Sequence, residues 1–248
     1  MNENHTKTAL VTGGASGIGA GVASLLHKRG YQVVIADISD EVGEAHAKGL
    51  GDRARYLHLD VSSEASWQAL GEHLKDSVTV LVNNAGTGIS ASVEETSLDD
   101  WQRIQDLNAR GVFLGCRFAV NGMKQAGGSI INIASALGKK ALSTTCAYSA
   151  SKAAVISLTE STALHCAEQS YPIRCNAVLP GFIDTPLLRN NLQLSDDPEG
   201  MLAGFVGLHP VNRLGTIEEV AEAVAFLASD QCTFMTGASI SVDGAMTL

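Results

Sequence analysis

The sequence has few charged and few aromatic side chains, which excludes several large classes of protein. Charged residues make up 17% of its 248 residues and aromatic residues 5%, while hydrophobic residues reach 45%. A chain with this proportion of hydrophobic residues can bury a core, and we therefore exclude a disordered protein. Acidic residues outnumber basic ones by 26 to 17, giving a net charge of -9. With no basic run and few aromatic rings, the chain is a poor partner for nucleic acid or an anionic membrane surface.

Cysteine spacing and the length of the apolar runs exclude further classes. The five cysteines are an odd number and none forms a CxxC pair, so neither a disulfide framework nor a metal site is expected. No apolar stretch approaches the ~18 residues of a membrane span. The N-terminus lacks the apolar segment of a signal peptide. We therefore expect a cytoplasmic protein whose cysteines are buried thiols.

Short apolar segments alternate with helical patterns along the whole chain. The predicted strands cover residues 8–11, 31–36, 53–59, 78–82, 129–133, 173–179 and 239–242. The predicted helices cover residues 18–28, 40–50, 64–74, 98–123, 147–166 and 217–228. Continuous apolar strands between helices are typical of an α/β fold with a doubly wound parallel sheet. Residues 184–215 are predicted to be a long irregular substrate loop within a single domain, residues 1–248.

A glycine-rich turn lies between the first predicted strand and the first predicted helix. Gly13, Gly17 and Gly19 have the spacing Gly-xxx-Gly-x-Gly, with Ser16 and Ile18 among them. Glycine lets the backbone approach a ligand closely, and the first N–H groups of a helix attract a pyrophosphate. A turn that only caps a helix has the same composition, but the strand–turn–helix context favours a dinucleotide site.

Two aspartates follow predicted strands at the same edge of the sheet. Asp37, followed by Ile38, could accept hydrogen bonds from the hydroxyl groups of an adenosine ribose. It could also cap the next helix, for which Ser39 is a competing cap. Asp60, followed by Val61, could face the adenine or cap a helix, and the sequence does not decide between these two roles.

Tyr148 and Lys152 are one helical turn apart, so both side chains are predicted on one face of a helix. A free tyrosine has a pKa of about 10 and is a poor base at neutral pH. An ammonium ~4 Å away contributes up to ~4 kcal/mol at an effective dielectric of ~20. We therefore predict that Lys152 lowers the pKa of Tyr148, which would make this phenol a base for an alcohol proton. A surface Tyr–Lys pair has the same spacing, so the pair alone is not specific.

Five motifs occur in order along the chain, namely Gly13-xxx-Gly17-x-Gly19, Asn83-Asn84-Ala85-Gly86, Ser135, Tyr148-xxx-Lys152 and Pro180-Gly181. With these motifs the sequence resembles the short-chain dehydrogenase/reductase family, and especially its bacterial hydroxysteroid and cyclic-alcohol dehydrogenases. The resemblance covers essentially the whole chain. It implies a seven-stranded Rossmann sheet, a nicotinamide cofactor and a homotetramer.

The resemblance also implies a role for each matching residue. Tyr148 would exchange a proton with the substrate, Ser135 would hydrogen-bond the substrate oxygen, and Lys152 would support both Tyr148 and the nicotinamide ribose. Asn108 matches the family's catalytic asparagine and would hold a water on a proton path. The further cofactor contacts that the resemblance implies are Asn84, Ala85, Gly86, Pro180, Gly181, Ile183 and Thr185. Thr185 could instead have only a structural role.

The residues around Asp37 favour NAD over NADP. The Asp37 carboxylate would repel a 2′-phosphate, and neither Ser16 nor Ile38 supplies a cation to bind one. Apolar residues in and beside the substrate loop favour an uncharged, largely apolar secondary alcohol or ketone, although they could pack on the loop's own helices: Leu137, Leu142, Phe182, Leu187, Leu188, Met201, Leu202 and Phe205.

Three functions are compatible with these observations. The first is an NAD-dependent alcohol dehydrogenase. The second is a biosynthetic carbonyl or 3-oxoacyl reductase, which a basic docking patch would favour. The third is a non-catalytic NAD-binding regulator, which would typically have lost the tyrosine or the lysine that this chain retains.

Overall fold

A computed structural model describes residues 7–74 and 78–248 of the chain. Its strands are β1 (Thr8–Thr12), β2 (Gln32–Asp37), β3 (Ala54–His58), β4 (Val78–Asn83), β5 (Gly128–Ile133), β6 (Ile173–Pro180) and β7 (Ser239–Val242). Its helices are α1 (Gly17–Lys28), α2 (Asp40–Leu50), α3 (Glu64–Leu74), α4 (Leu98–Gln105), α5 (Gly111–Met123), α6 (Cys146–Glu168), α7 (Pro186–Gln193), α8 (Pro198–Gly207) and α9 (Ile217–Ala228). Within the described ranges, no helix is long and apolar enough to cross a membrane.

The seven strands form one sheet in the order β3-β2-β1-β4-β5-β6-β7, and every pairing is parallel. The strands of the sheet centre are buried on both faces, which explains their continuous apolar sequences. Alternate side chains point to opposite faces: Leu10 packs in the layer of α3, α5 and α6, whereas Ala9 and Val11 pack in the layer of α1, α2 and α9. The prediction of a doubly wound, seven-stranded α/β fold is confirmed.

The strand order reverses at β1, which pairs with β2 on one side and with β4 on the other. In an open α/β sheet, such a switch point leaves a crevice beyond the carboxyl ends of the strands, and ligands bind there. The residues that follow β1, β2, β4, β5 and β6 therefore meet at one edge of the sheet.

Two predicted segments differ from the structure. The predicted helix 98–123 is interrupted by a π turn, Asp106–Arg110, between α4 and α5. The prediction that 184–215 is irregular is wrong, because this loop contains α7 and α8. Both α7 and α8 begin with a proline. Proline lacks the backbone N–H, which at the first helical position would have no partner within the helix. The side chains of Thr185 and Asp197 cap α7 and α8 by accepting from the N–H groups of Leu188 and Gly200.

Candidate functional site

A cleft of about 1180 Å³ lies at the carboxyl edge of the sheet and extends from the glycine-rich turn to α7 and α8. It is lined by nearly all the residues that the sequence predicts for the site. These are Gly13, Ser16, Gly17, Ile18, Asp37, Ile38, Asp60, Val61, Asn84, Ala85, Gly86, Ser135, Tyr148, Lys152, Pro180, Gly181, Ile183 and Thr185. The two predicted residues outside this lining are Gly19 and Asn108, and both are buried beneath it.

The glycine-rich turn packs tightly against the end of β4. Gly13 has a positive φ of 63°, and a Cβ on it would lie 2.8 Å from the Cα of Ala85. A Cβ on Gly19 would collide with the carbonyl oxygen of Gly13. Gly19 therefore lets α1 pack directly under the turn, and its predicted contact with a cofactor stays a prediction. The amide of Asn84 holds the turn by donating to the carbonyl groups of Thr12 and Gly13, at 3.0 and 3.1 Å.

Asp37 braces the same turn from the end of β2. Its carboxylate accepts from the backbone N–H groups of Ala15 and Ser39, both at 3.1 Å. It therefore holds the chain before α2 and does not cap that helix through the helix's own N–H groups. His46 on α2 also contacts the turn, through Nδ1 at 3.0 Å from the carbonyl oxygen of Gly14. A carbonyl only accepts, so Nδ1 carries a proton, and Nε2 is 3.0 Å from the hydroxyl of Ser24.

Asp60 closes a turn before α3 but does not cap that helix, and its predicted position facing the adenine stays a prediction. Its Oδ1 accepts from the backbone N–H and the hydroxyl of Ser62, at 2.9 and 2.7 Å, which closes a turn before α3. Asp60 also lines the cleft beside Val61. A hydrogen-bonded carboxylate is thus available at this end of the cleft.

Ser135, Tyr148 and Lys152 come together at the centre of the cleft. Ser135 follows β5, and its hydroxyl accepts from the N–H of Leu137 at 3.1 Å and lies near the Tyr148 phenol. Tyr148 lies in the first turn of α6. Lys152, one turn later, donates from Nζ to the carbonyl of Ile133 at 2.9 Å, and Nζ is 5.7 Å from the centre of the Tyr148 ring.

Burial sets the protonation of this pair. It raises the pKa of Tyr148, and the nearby Ser135 hydroxyl opposes that rise only in part. It also lowers the pKa of Lys152 to about 8. The pKa of Tyr148 is therefore raised overall, whereas the sequence predicts that it is lowered, because the cost of desolvating the phenolate exceeds the favourable effects.

Asn108 lies in the π turn between α4 and α5 and acts behind the cleft. Its side-chain carbonyl accepts from the N–H of Thr87 at 2.9 Å, and its amide donates to the Thr87 carbonyl and to the Ser151 hydroxyl, at 2.8 and 3.0 Å. Ser151 in turn donates to the carbonyl of Tyr148 at 2.7 Å. Asn108 thus connects the loop after β4 to the first turn of α6, and its predicted catalytic role stays a prediction. Its side-chain amide hydrogens are already donated within the protein.

The end of the cleft beyond Tyr148 is mostly apolar. Phe182 and Phe205 stack with their ring centres 4.2 Å apart. Of the apolar residues predicted for a substrate, Leu137, Leu142, Phe182, Leu187, Leu188, Met201 and Phe205 line the cleft. Leu202 does not. Among the described residues that line the cleft, the charged side chains are those of Asp37, Asp60 and Lys152, and none belongs to α7 or α8.

The C-terminal segment contributes a residue to the cleft that sequence reasoning missed. Met246 is only 2% exposed and packs with Leu137 and Phe182. The Asp243 carboxylate folds the segment back by accepting from the N–H groups of residues 245 and 247. Lys140 donates to the carbonyl of Met246 at 2.9 Å. The Asp243-Gly244 pair, a common turn sequence, was the one available signal that the chain reverses here.

Comparison with known proteins agrees with this geometry. A family model described as enoyl-(acyl carrier protein) reductase matches residues 13–247. The 3-beta-hydroxysteroid dehydrogenase of Comamonas testosteroni is 39% identical, over 99% of this chain and 97% of its own. The NADP-dependent (R)-specific alcohol dehydrogenase of Lentilactobacillus kefiri is 39% identical, over 97% and 96%.

A third relative, the trans-4-hydroxycyclohexanecarboxylate dehydrogenase of Sinomonas cyclohexanicum, is 39% identical over 97% of this chain and 93% of its own. The similarity therefore extends over the whole sheet and the whole cleft in each case. The chain belongs to the short-chain dehydrogenase/reductase family of oxidoreductases.

Proposed function

We propose that this protein transfers a hydride between NAD(H) and an uncharged, largely apolar secondary alcohol or ketone. The observation that carries the proposal is the meeting of Ser135, Tyr148 and Lys152 in one cleft with the glycine-rich turn and Asp37. A binding protein would not need a buried lysine beside a partly buried phenol, because desolvating these groups costs free energy.

The nucleotide end of the cleft fits a dinucleotide. Gly13 and Gly86 have no side chain, so a dinucleotide can approach the backbone closely at these two positions. A Cβ on Gly86 would lie 3.0 Å from the side-chain oxygen of Asn108. The first N–H groups of α1 provide a positive site for phosphates. Asp37 lies at the end of β2, where a carboxylate accepts from ribose hydroxyls and repels a 2′-phosphate. We therefore assign NAD, although the relative from Lentilactobacillus kefiri is named as NADP-dependent.

The cofactor, when bound, accepts or supplies the hydride. Tyr148 removes the proton of the alcohol during oxidation and returns it during reduction. The Ser135 hydroxyl donates to the substrate oxygen and stabilises the charge that develops on it. Lys152 provides a cation beside the phenol and, at a pKa of about 8, remains mostly protonated at neutral pH. Asn108 fixes the first turn of α6 through Ser151, and thereby the backbone of Tyr148.

The substrate end of the cleft favours a neutral, rigid alcohol. The residues of α7 and α8 that line it carry no charge, and the stacked rings of Phe182 and Phe205 lie on one side. Arg189 on α7, which could have bound a carboxylate, is paired with Asp184 through two hydrogen bonds of 2.7 Å. We therefore favour a hydroxysteroid-like or simple cyclic alcohol over a hydroxycyclohexane carboxylate, whose charge would be buried without a partner.

We further propose a cytoplasmic homotetramer. Phe113 on α5 and Leu164 on α6 are 46% and 63% exposed, and these long helices lie side by side on one face of the sheet. A two-fold axis would bury both side chains against the same helices of a second copy. The five cysteines are free thiols, which suits a reducing compartment. Light scattering at micromolar concentration tests the assembly, and a monomer peak would refute it.

The activity is tested with Tyr148→Phe, which keeps the ring and removes the proton-transfer group. We expect oxidation of a panel of neutral cyclic alcohols to fall by at least ~10²-fold, the lower range for general acid–base catalysis. Binding of NAD, measured by calorimetry, should be retained. Tyr171→Phe, at the amino end of β6, is the matched control and should keep full activity. If Tyr148→Phe retains more than about a tenth of the wild-type kcat, the assignment of the general base is wrong.

A further inference from the structure

His209 is a buried, polar side chain that the mechanism above does not use. It follows α8, is only 3% exposed, and lies behind the wall of the cleft. Its ring nitrogens contact two backbone segments that are far apart in sequence. Nε2 is 3.0 Å from the N–H of Phe182, and Nδ1 is 2.8 Å from the carbonyl oxygen of Phe205.

The two contacts determine the tautomer of the ring. A backbone N–H only donates and a carbonyl only accepts, so Nε2 must be unprotonated and Nδ1 must carry the proton. Neutral histidine in this one tautomer satisfies both segments. An imidazolium would place two N–H groups against each other at Phe182, and an apolar residue would leave a buried N–H without an acceptor.

The ring also fits too closely for its position to be incidental. A Cβ on Gly181 would lie 2.5 Å from Nε2, so the glycine leaves just enough room for the imidazole. The ring meets Phe182 edge-on, with centres 6.0 Å apart and planes at 87°. Phe182 stacks in turn on Phe205, so one histidine fixes both the backbones and the rings of these two residues.

We propose that His209 is a positioning residue that joins the substrate loop to the segment 180–185, where the nicotinamide end of the cofactor is expected. This role rests on the proposed function. Phe205 belongs to α8 and forms part of the apolar wall, whereas Gly181 and Ile183 line the cleft beside Tyr148. A single side chain thereby sets the wall for the alcohol and the backbone for the nicotinamide together.

The proposal is tested with three substitutions of His209. In His209→Leu the Phe182 N–H loses its acceptor. In His209→Asn the side chain is polar but too short to reach the Phe182 N–H. In His209→Gln the side-chain amide oxygen takes the place of Nε2 as the acceptor. His73→Leu, an exposed histidine on α3, is the matched control. Thermal unfolding of each variant confirms that it is folded.

Calorimetric binding of NAD is compared with that of ADP-ribose, which has the same adenosine and pyrophosphate but no nicotinamide. For the Leu and Asn variants we expect NAD to bind about tenfold more weakly, the effect of one lost hydrogen bond, and ADP-ribose to bind as in the wild type. The KM for the alcohol should rise in the same two variants that bind NAD more weakly. His209→Gln should restore most of the NAD affinity and bring the KM close to the wild-type value.

Two results would overturn the role of His209. One is a ratio of NAD to ADP-ribose affinity that stays at the wild-type value in both the Leu and the Asn variants. The other is a Gln variant that binds NAD no more tightly than the Asn variant does. The Asn–Gln comparison gives this answer even if the Leu variant does not fold. A wild-type protein that binds neither ligand would instead overturn the proposed function, and this role with it.

Discussion

Replacing Lys152 by methionine separates the contributions of Tyr148 and Lys152 to proton transfer. In the wild type the two groups titrate as a pair, and we expect the first proton to leave near pH 8, the pKa of Lys152. The ammonium is 5.7 Å from the centre of the phenol ring. At an effective dielectric of ~20, a unit charge at this distance stabilises the phenolate by about 3 kcal/mol, or about 2 pKa units.

Without Lys152 the phenol must ionise alone, at a pKa that burial already raises. Oxidation requires the deprotonated base, so its rate rises with pH through this ionisation, while reduction requires the acid and falls. We expect the midpoint of the oxidation profile to move up by about 2 units in Lys152→Met. The kcat should then fall roughly 100-fold at neutral pH, and the loss should shrink as the pH rises toward the raised pKa of the Tyr148 phenol.

The assay is kcat for alcohol oxidation at saturating NAD and alcohol, from about pH 6 to about pH 10. Saturation matters because Lys152 is also expected to contact the nicotinamide ribose. Lys139→Met, an exposed lysine in the segment after Ser135, is the matched control and should leave the profile unchanged. A Lys152→Met enzyme whose profile has the wild-type midpoint would refute the reasoning, since the lysine would then not stabilise the phenolate.

Three further predictions concern packing and the cleft. Gly19→Ala should lower the free energy of unfolding by ~2–3 kcal/mol and weaken NAD binding. Gly49→Ala on α2 is the control and should not destabilise the protein, because a Cβ there meets open space. Chemical denaturation measures the free energy of unfolding, and calorimetry measures NAD binding. Met246→Ala should raise kcat/KM for a multi-ring alcohol relative to that for a single-ring alcohol. Met246→Leu keeps the side-chain volume and should leave this ratio near the wild-type value. Equal ratios for the two variants would contradict the prediction. Asp37→Ala should raise the NADP to NAD ratio of kcat/KM by about tenfold or more, and an unchanged ratio would exclude Asp37 from cofactor selection.

The order of the elements was predictable because each strand of the sheet centre is a continuous apolar run and most of the helices have a periodic pattern. The positions of Ser135, Tyr148 and Lys152 in one cleft followed from the resemblance to a family. The pKa of Tyr148 was not predictable, because spacing within a helix reveals the nearby charge and not the depth of burial. His209 and Met246 were also beyond reach. Each is an isolated residue whose role depends on segments that only the folded chain brings together.

The π turn between α4 and α5 has a consequence for changes in chain length. A π turn holds one residue more than an α-helical turn, so the turn absorbs the extra residue and the helices on either side keep nearly the phase of one continuous helix. Deleting one residue from Asp106–Arg110 would therefore restore a continuous α-helix with Ile104 and Val112 still facing the core. The bulge would be lost, however, and with it the position that lets Asn108 bind Thr87 and Ser151. The length of this helical segment is therefore fixed to the residue, even though its sequence has the appearance of one ordinary helix.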